Sequence, residues 1–155
     1  LYYANRHPSI IRSVLGSGVM VEGWAHYTER MMIEEGFGDG DPRYKLVQMK
    51  WKLRGIANAI IDHKIHAGKM TENEAMELMV KETFQEEAEA SAKWRRAQLS
   101  FGQLSTYFVG STLMWDLKRD VEEKWESNFN LKKFHEELLS HGSIPIRHLR
   151  RIMLD

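Results

Sequence analysis

The sequence predicts an all-α protein, built as an irregular multi-helix bundle. Only three of its 155 residues are proline, and no stretch of any length alternates apolar and polar residues as a half-buried strand would. Apolar residues make up 43% of the chain and include five Trp, six Phe and nine Met, which is enough for one packed core. We therefore expect residues 1–155 to form a single helical domain.

Glycine, proline and capping residues divide the chain into predicted helices. The chain starts with the end of one helix, a turn at His7-Pro8-Ser9 and a short helix ending at 16–18. The later helices are predicted over 19–35, 42–67, one starting near 71, one starting near 86, 103–125, 131–140 and 145–154. Thr71 with Glu74 has capping-box spacing, and Thr83 with Glu86 repeats it, which predicts a kink or a restart there.

Composition excludes several classes of function. The 22 basic and 22 acidic residues cancel, so no nucleic-acid or anionic-membrane partner is expected. The absence of cysteine excludes disulfides and thiolate metal sites. No apolar run approaches the roughly 20 residues of a membrane-spanning helix. The chain begins at Leu1 without an initiator Met, and we expect it to be a fragment of a longer protein.

Glu22, His26 and Glu29 recur at spacings of four and three residues, so they lie on one face of the helix predicted over 19–35. Apolar neighbours such as Trp24 leave this helix little purely polar surface, and a carboxylate in such surroundings needs a cation or a metal as partner. The spacing leaves two interpretations open, a metal ligand or, more commonly, a paired carboxylate.

Asp62 and His66 lie one turn apart near the end of the long predicted helix. A carboxylate at this spacing can orient an imidazole, as acids beside metal-binding or acid–base histidines do. The alternative is a helix-end histidine in a local ion pair.

Four polar residues lie on either side of the predicted break between helices at 100–102, namely Arg96, Gln103, Ser105 and Tyr107. A Gly-Gln step that opens a helix brings side-chain donors close to the backbone N–H groups of the helix start, and this suits an anionic or carbonyl ligand. Ordinary capping and an amphipathic tyrosine explain the same residues.

Two further segments are interpreted as structural. The charged run 86–96 begins acidic and ends basic, which complements a helix dipole, and we interpret it as a solvated face. His135 is expected to pack or to cap a helix rather than to belong to a site.

Taken in order, these motifs resemble a known bacterial family. They are Glu22-Gly23-Trp24-Ala25 with Tyr27 and Glu29, Asp62 with His66, Arg96 followed by Gly102-Gln103 and Tyr107, and Phe134-His135 with Gly142 and Pro145. The whole chain resembles the carboxy-terminal half of the proteins labelled domain of unknown function 885. Phe101 stands where that family usually has proline.

The resemblance implies a gluzincin-like zinc peptidase. In that fold, two histidines of a His-Glu-x-x-His type motif bind zinc upstream, and the Glu between them is the general base. Resemblance places the third zinc ligand at Glu22 and a supporting carboxylate at Glu29.

The resemblance also implies roles for the later motifs. His66 and Tyr107 would stabilise the oxyanion or grip the substrate, Gln103 and Arg96 would bind the peptide, and Asp62 would support His66.

The His-Glu-x-x-His element is absent from this chain. We therefore expect residues 1–155 alone to be inactive and not to retain zinc, with a peptide substrate and the missing amino-terminal half as partners in the parent. Glu22, His66 and Tyr107 are predicted to converge on an exposed, partly apolar half-cleft, through which the fragment could self-associate. The compartment, cytoplasmic or exported, stays open.

Two rival functions remain. A non-catalytic helical interaction or scaffold module would keep the same motifs as structure. A di-metal carboxylate bundle would need Glu-x-x-His pairs, and no Glu in this chain is followed three residues later by His.

Overall fold

The computed structural model describes residues 9–155, which form eight α-helices and contain no β-strand. The predicted all-α fold is thereby confirmed. The helices are α1 Ile10–Val14, α2 Gly18–Glu34, α3 Pro42–His66, α4 Glu72–Met76, α5 Glu87–Leu99, α6 Thr106–Trp125, α7 Leu131–Ser140 and α8 Ile146–Leu154. A π-helix, Glu77–Glu82, continues α4, and a 3-10 turn, Glu126–Asn128, follows α6. The turn predicted around Pro8, and the helix end before it, lie outside the described residues.

Local signals set several helix boundaries as predicted. Pro42 is the first residue of α3, and the Asp41 side chain before it accepts a hydrogen bond from the Arg43 backbone N–H at 2.9 Å. Thr71 and Glu74 form the predicted capping box, in which each side chain accepts from the backbone N–H of the other residue. These contacts join residues two or three positions apart, so sequence spacing is enough to predict them.

The second predicted capping box is wrong. The chain does restart near the predicted place, because α5 begins at Glu87, but the Glu86 side chain makes no cap. The Thr83 hydroxyl instead donates to the Met79 carbonyl oxygen at 3.0 Å, at the end of the π-helix. Here the hydroxyl bonds back to the preceding helical turn instead of capping the helix that follows.

The chain divides into two compact units, residues 1–27 with 110–155 and residues 28–109. We call them the first and second unit. The division falls within α2 and within α6. The single domain expected over 1–155 stays a prediction.

The first unit has an almost entirely apolar core. Its buried side chains come from α2, α6, α7 and α8 and are Met20, Tyr27, Met114, Leu117, Val121, Phe134, Leu138, Ile146, Leu149 and Met153. Gly23 and Gly110 let α2 and α6 approach backbone to backbone, because a Cβ built on Gly23 would meet the Gly110 backbone at less than 3 Å.

The core of the second unit mixes apolar and polar side chains. An apolar cluster draws on α3, α4, the π-helix, α5 and Leu104, and consists of Ile61, Ala75, Met79, Ala90, Trp94, Ala97 and Leu104. Five buried polar or charged side chains accompany it, namely Asn58, Asp62, Thr83, Gln85 and Lys93. Buried polar groups need hydrogen-bond partners, so polar contacts between side chains are concentrated in the core of this unit.

Candidate functional site

Within the first unit, α2 is held by an aromatic cluster. Tyr27 is fully buried, and its hydroxyl lies 2.8 Å from Nε2 of His135 on α7. The Trp24 and Tyr27 rings both pack edge-on against the His135 ring, at 5.2 and 5.6 Å. Burial and the nearby Lys118 ammonium lower the pKa of His135, which favours the neutral imidazole as the hydrogen-bond partner of the tyrosine hydroxyl. The packing of His135 was expected from the sequence, whereas its hydrogen bond to Tyr27 was not.

Glu22, His26 and Glu29 lie on the side of α2 that faces away from this core. Successive helix residues are rotated by about 100°, which places the three within about 60° of one another and, on average, about 130° around the helix axis from Met20, Gly23 and Tyr27. Glu22 is half-buried and, within residues 9–155, has no hydrogen-bond or ion-pair partner. Its carboxylate is thus not used to stabilise the first unit.

The donor set for a metal is incomplete in the part of the chain that the structure describes. No group of three His, Asp or Glu side chains comes together there with the geometry of a metal site. Zinc sites usually need three protein ligands, so the metal-ligand role expected for Glu22 stays a prediction.

In the second unit, Asp62 anchors the loop between α5 and α6. Its side chain is only 2% exposed and accepts hydrogen bonds from the Gly102 N–H at 3.1 Å, the Ser105 N–H at 2.9 Å and the Ser105 hydroxyl at 2.9 Å. Gly102 has a φ of +75°, a left-handed conformation that favours glycine. The carboxylate therefore fixes the loop, a role that the sequence analysis did not predict.

His66 is held by the same loop rather than mainly by Asp62. Its Nε2 lies 2.8 Å from the Ser100 carbonyl oxygen but 3.5 Å from the nearer Asp62 oxygen. Because a carbonyl only accepts, Nε2 carries the proton and donates it to Ser100. The Phe101 ring packs edge-on against the imidazole at 4.9 Å.

Arg96, Gln103 and Tyr107 form a second polar cluster at the start of α6. The Arg96 guanidinium donates to the Gln103 side-chain oxygen at 2.5 Å, and the Gln103 amide donates to the Tyr107 hydroxyl at 3.0 Å. A longer contact of 3.5 Å joins Arg96 to the Tyr107 hydroxyl. The motifs at 62–66 and 96–107, which are separate in sequence, therefore meet at the loop 100–105.

Glu22 belongs to the first unit, while His66 and Tyr107 belong to the second. Their predicted convergence on one half-cleft stays a prediction. The proposed roles of all seven site residues likewise remain predictions.

The interpretation of the charged run 86–96 as a solvated face is wrong for Lys93. This residue is 9% exposed, donates a hydrogen bond to the Gln85 side chain, and lies 3.7 Å from Glu89, which is paired in turn with Arg54. Burial, together with the charges of Arg54 and Arg96, lowers the pKa of Lys93 to about 8. The signal was present in the sequence, because the buried residues 90, 94 and 97 share the helix face of position 93.

Glu29 lines an apolar groove in the second unit with a volume of about 430 Å³. The other lining residues come from the end of α2, the following turn and the start of α3, and are Thr28, Met32, Ile33, Phe37, Tyr44, Val47, Gln48 and Trp51. The groove was not predicted from the sequence, because its apolar walls come from two helices whose packing only the tertiary structure shows.

Comparison with known proteins places the chain in a recognised sequence family. The family model described as "Bacterial protein of unknown function (DUF885)" matches residues 1–153. No curated protein that was compared is significantly similar in sequence. Among the residues that the structure describes, no helix is long and apolar enough to cross a membrane.

Two solved structures are similar to the chain. A protein from Shewanella oneidensis, described as "a putative lipoprotein of unknown function", is 48% identical with a TM-score of 0.93, and the match covers 99% of this chain and 28% of that one. A protein from Colwellia psychrerythraea, described as a "putative lipoprotein", is 25% identical with a TM-score of 0.88, and the match covers 93% of this chain and 25% of that one. The chain thus spans about a quarter of the length of these relatives.

Proposed function

Because this chain belongs to the bacterial DUF885 family of proteins of unknown function, we propose that it is the carboxy-terminal part of a zinc-dependent peptidase. The remaining part would supply two histidine ligands and the general base. The observation that supports this most is the gathering of Asp62, His66, Arg96, Gln103 and Tyr107 around one loop of the second unit. Such a cluster of donors fits a peptide carbonyl or carboxylate.

Glu22 is the proposed metal ligand. It lies about 130° around the axis of α2 from the buried residues of the first unit's core and has no partner within residues 9–155, so its carboxylate is available to bind a metal ion. The Gly23–Gly110 contact and the Tyr27–His135 hydrogen bond fix the helix that carries it. Bound zinc would supply a Lewis acid that polarises the scissile carbonyl.

Tyr107 is the proposed donor to the oxyanion. Its oxygen accepts from the Gln103 amide, with the Arg96 guanidinium nearby, which polarises the O–H bond and favours donation to developing negative charge. Arg96 and Gln103 are the proposed contacts to the peptide backbone or to a carboxylate, since a guanidinium binds carboxylates in a planar, directional way.

Asp62, His66 and Glu29 have supporting roles in this proposal. Asp62 positions the loop through three hydrogen bonds, and His66 is held against Ser100 by its Nε2 proton. His66 can then contribute to substrate only through Nδ1, which makes Tyr107 the stronger candidate for oxyanion stabilisation. Glu29, which lines the apolar groove, would support the site without binding the metal.

The decisive experiment uses the full-length parent protein loaded with zinc. Glu22→Gln should lower bound zinc, measured by atomic absorption, to well below one ion per chain, and peptide hydrolysis should fall to background. Glu35→Gln is the matched control, because this exposed glutamate follows the end of α2. Unchanged zinc content in the Glu22 variant would rule out the ligand role.

A second variant tests the chemistry separately from the metal. Tyr107→Phe should leave zinc content unchanged while reducing kcat about 100-fold, the usual effect of removing one oxyanion donor. Tyr44→Phe, which removes a hydroxyl from α3 outside the cluster, serves as control. A kcat for Tyr107→Phe equal to that of the control would remove Tyr107 from the mechanism.

A non-catalytic interaction module is the second candidate function. The apolar groove beside Glu29 favours it, because concave apolar surfaces with aromatic walls commonly bind peptide segments. The two functions are distinguished by the parent sequence: a His-Glu-x-x-His helix upstream of Leu1 supports the peptidase, and a parent without one leaves the module.

A further inference from the structure

We infer that the amino-terminal half of α3 is a docking surface for an amphipathic helix with acidic flanks, supplied by the rest of the longer protein. This inference concerns assembly and does not depend on the peptidase proposal. It rests on the exposure of α3, on the spacing of its apolar residues and on its charge.

The two halves of α3 are buried to very different degrees. From Pro42 to Leu53, every residue except Gln48 is exposed. All the buried residues of α3 lie in its second half, at Gly55, Ala57, Asn58, Ile61 and Asp62. Twelve residues correspond to about 18 Å of helix, and a stretch of this length gains little stability without packing.

The exposed half carries a regular apolar seam. Leu46, Met49, Leu53, Ile56 and Ile60 follow one another at spacings of three and four residues, the pattern of a coiled-coil contact. Exposure falls along the seam from 69% at Leu46 to 53% at Met49 and 37% at Leu53, and Ile56 and Ile60 are partly buried. The seam thus begins at partly buried residues near the middle of α3 and continues onto the exposed amino-terminal half of the helix.

The seam lies on the side of α3 opposite the apolar groove. Tyr44, Val47 and Trp51 line that groove together with the end of α2. Leu46, Met49 and Leu53 are rotated about 180° from them around the helix axis. Covering the groove would therefore leave the seam exposed, and the seam needs an occupant of its own.

Charge identifies the kind of occupant. Lys45 and Lys52 each precede a seam leucine and Lys50 follows Met49, which are the positions that form interhelical ion pairs in coiled coils. Residues 42–61 contain five basic and no acidic residues. A helix with an apolar stripe bordered by Glu or Asp complements this surface, whereas a second copy of α3 would bring lysines against lysines.

The length of the relatives indicates the source of that helix. This chain matches only 28% of the Shewanella oneidensis protein and 25% of the Colwellia psychrerythraea protein. About three quarters of such a polypeptide is therefore available to cover the seam within the same molecule, where the effective concentration is high.

The test compares the full-length parent with the 155-residue chain by amide hydrogen exchange. Residues 43–53 should exchange at least tenfold more slowly in the parent than in the isolated chain. Equal exchange rates in the two proteins would overturn the inference.

A charge reversal gives the second readout. The combined Lys45→Glu, Lys50→Glu and Lys52→Glu substitutions should remove most of that protection in the parent. The same charge change at exposed lysines outside α3, Lys69→Glu, Lys81→Glu and Lys132→Glu, should preserve it. Equal loss of protection in both triple variants would contradict a specific acidic partner.

Two other occupants are distinguished by the isolated chain. Sedimentation showing a dimer that Leu46→Asp dissociates would assign the seam to a second copy and overturn the inference. Binding to phosphatidylglycerol vesicles that the seam lysine substitutions abolish would assign it to an anionic lipid surface, with the same consequence. An isolated chain that stays monomeric and does not bind the vesicles supports the proposed occupant.

Discussion

The cores of the two units differ in what they bury. Of the six buried polar or charged side chains among the described residues, five lie in the second unit and only Ser143 lies in the first. The first unit packs α2 against α6 through two glycines and surrounds one tyrosine–histidine hydrogen bond with aromatic rings. The second unit buries a carboxylate and an ammonium, each with hydrogen-bond partners.

The two units therefore differ in which groups they can hold in place. Apolar packing holds a helix in place without reserving any polar group, so the first unit is suited to fixing the helix that carries Glu22. Buried charges are unfavourable unless partners are positioned around them, and they define one arrangement of a loop or helix pair. The second unit is therefore suited to holding donors such as Arg96 and Tyr107 in a fixed arrangement.

The largest expected effect on stability is the contrast between substitutions of two buried glycines, one in each unit. Gly23→Ala should lower the free energy of unfolding by about 3 kcal/mol or more, because the new methyl group meets the Gly110 backbone, which cannot rotate away. Gly55→Ala, where an added Cβ meets nothing within 4 Å, should instead raise it by about 0.5–1 kcal/mol. Urea unfolding of both variants measures the contrast, and equal effects would contradict the close packing of α2 on α6.

The next effect concerns the loop anchor of the second unit. Asp62→Ala should lower the free energy of unfolding by about 2–3 kcal/mol, because it removes three hydrogen bonds to a buried carboxylate and leaves two loop N–H groups without their acceptor. The control Asp116→Ala breaks a surface ion pair with Arg119 and should change it by less than about 1 kcal/mol. Equal denaturation midpoints for the two variants would show that Asp62 does not hold the loop.

The smallest effects are pH dependences, and they fall in different ranges for the two units. Lys93 has a folded pKa of about 8, below its usual value of 10.5, so the unfolded chain binds more protons between these values and stability should rise there, by about 2 kcal/mol from pH 8 to 10. Lys93→Met should flatten this rise.

His135 also has a lowered pKa, so stability should fall as pH drops below about 6.5, and His135→Phe should reduce that loss. Thermal unfolding across pH 5–10 tests both, and unchanged slopes in the variants would contradict the assignments.

Sequence periodicity predicted most of the fold but only part of the candidate site. The helix over 19–35 was observed as Gly18–Glu34, and the long helix over 42–67 as Pro42–His66, because glycine and proline act on the backbone within a few residues. The Asp62–His66 pair was predicted from one-turn spacing, yet the structure gives both side chains nearer partners in the loop 100–105. Those partners are more than 30 residues away in sequence, beyond the reach of a helical repeat.

By itself, the sequence determined the helical class, the breaks around 36–41 and 100–102, the capping box at Thr71, and the common face of Glu22, His26 and Glu29. Each of these depends on residues within two helical turns of one another, where backbone geometry leaves few alternatives. Only the tertiary structure decided that Asp62 anchors a distant loop and that half of α3 is uncovered. These outcomes depend on which surfaces different helices bring together, because burial and desolvation are set by the packed neighbours of a residue rather than by its own position in a pattern.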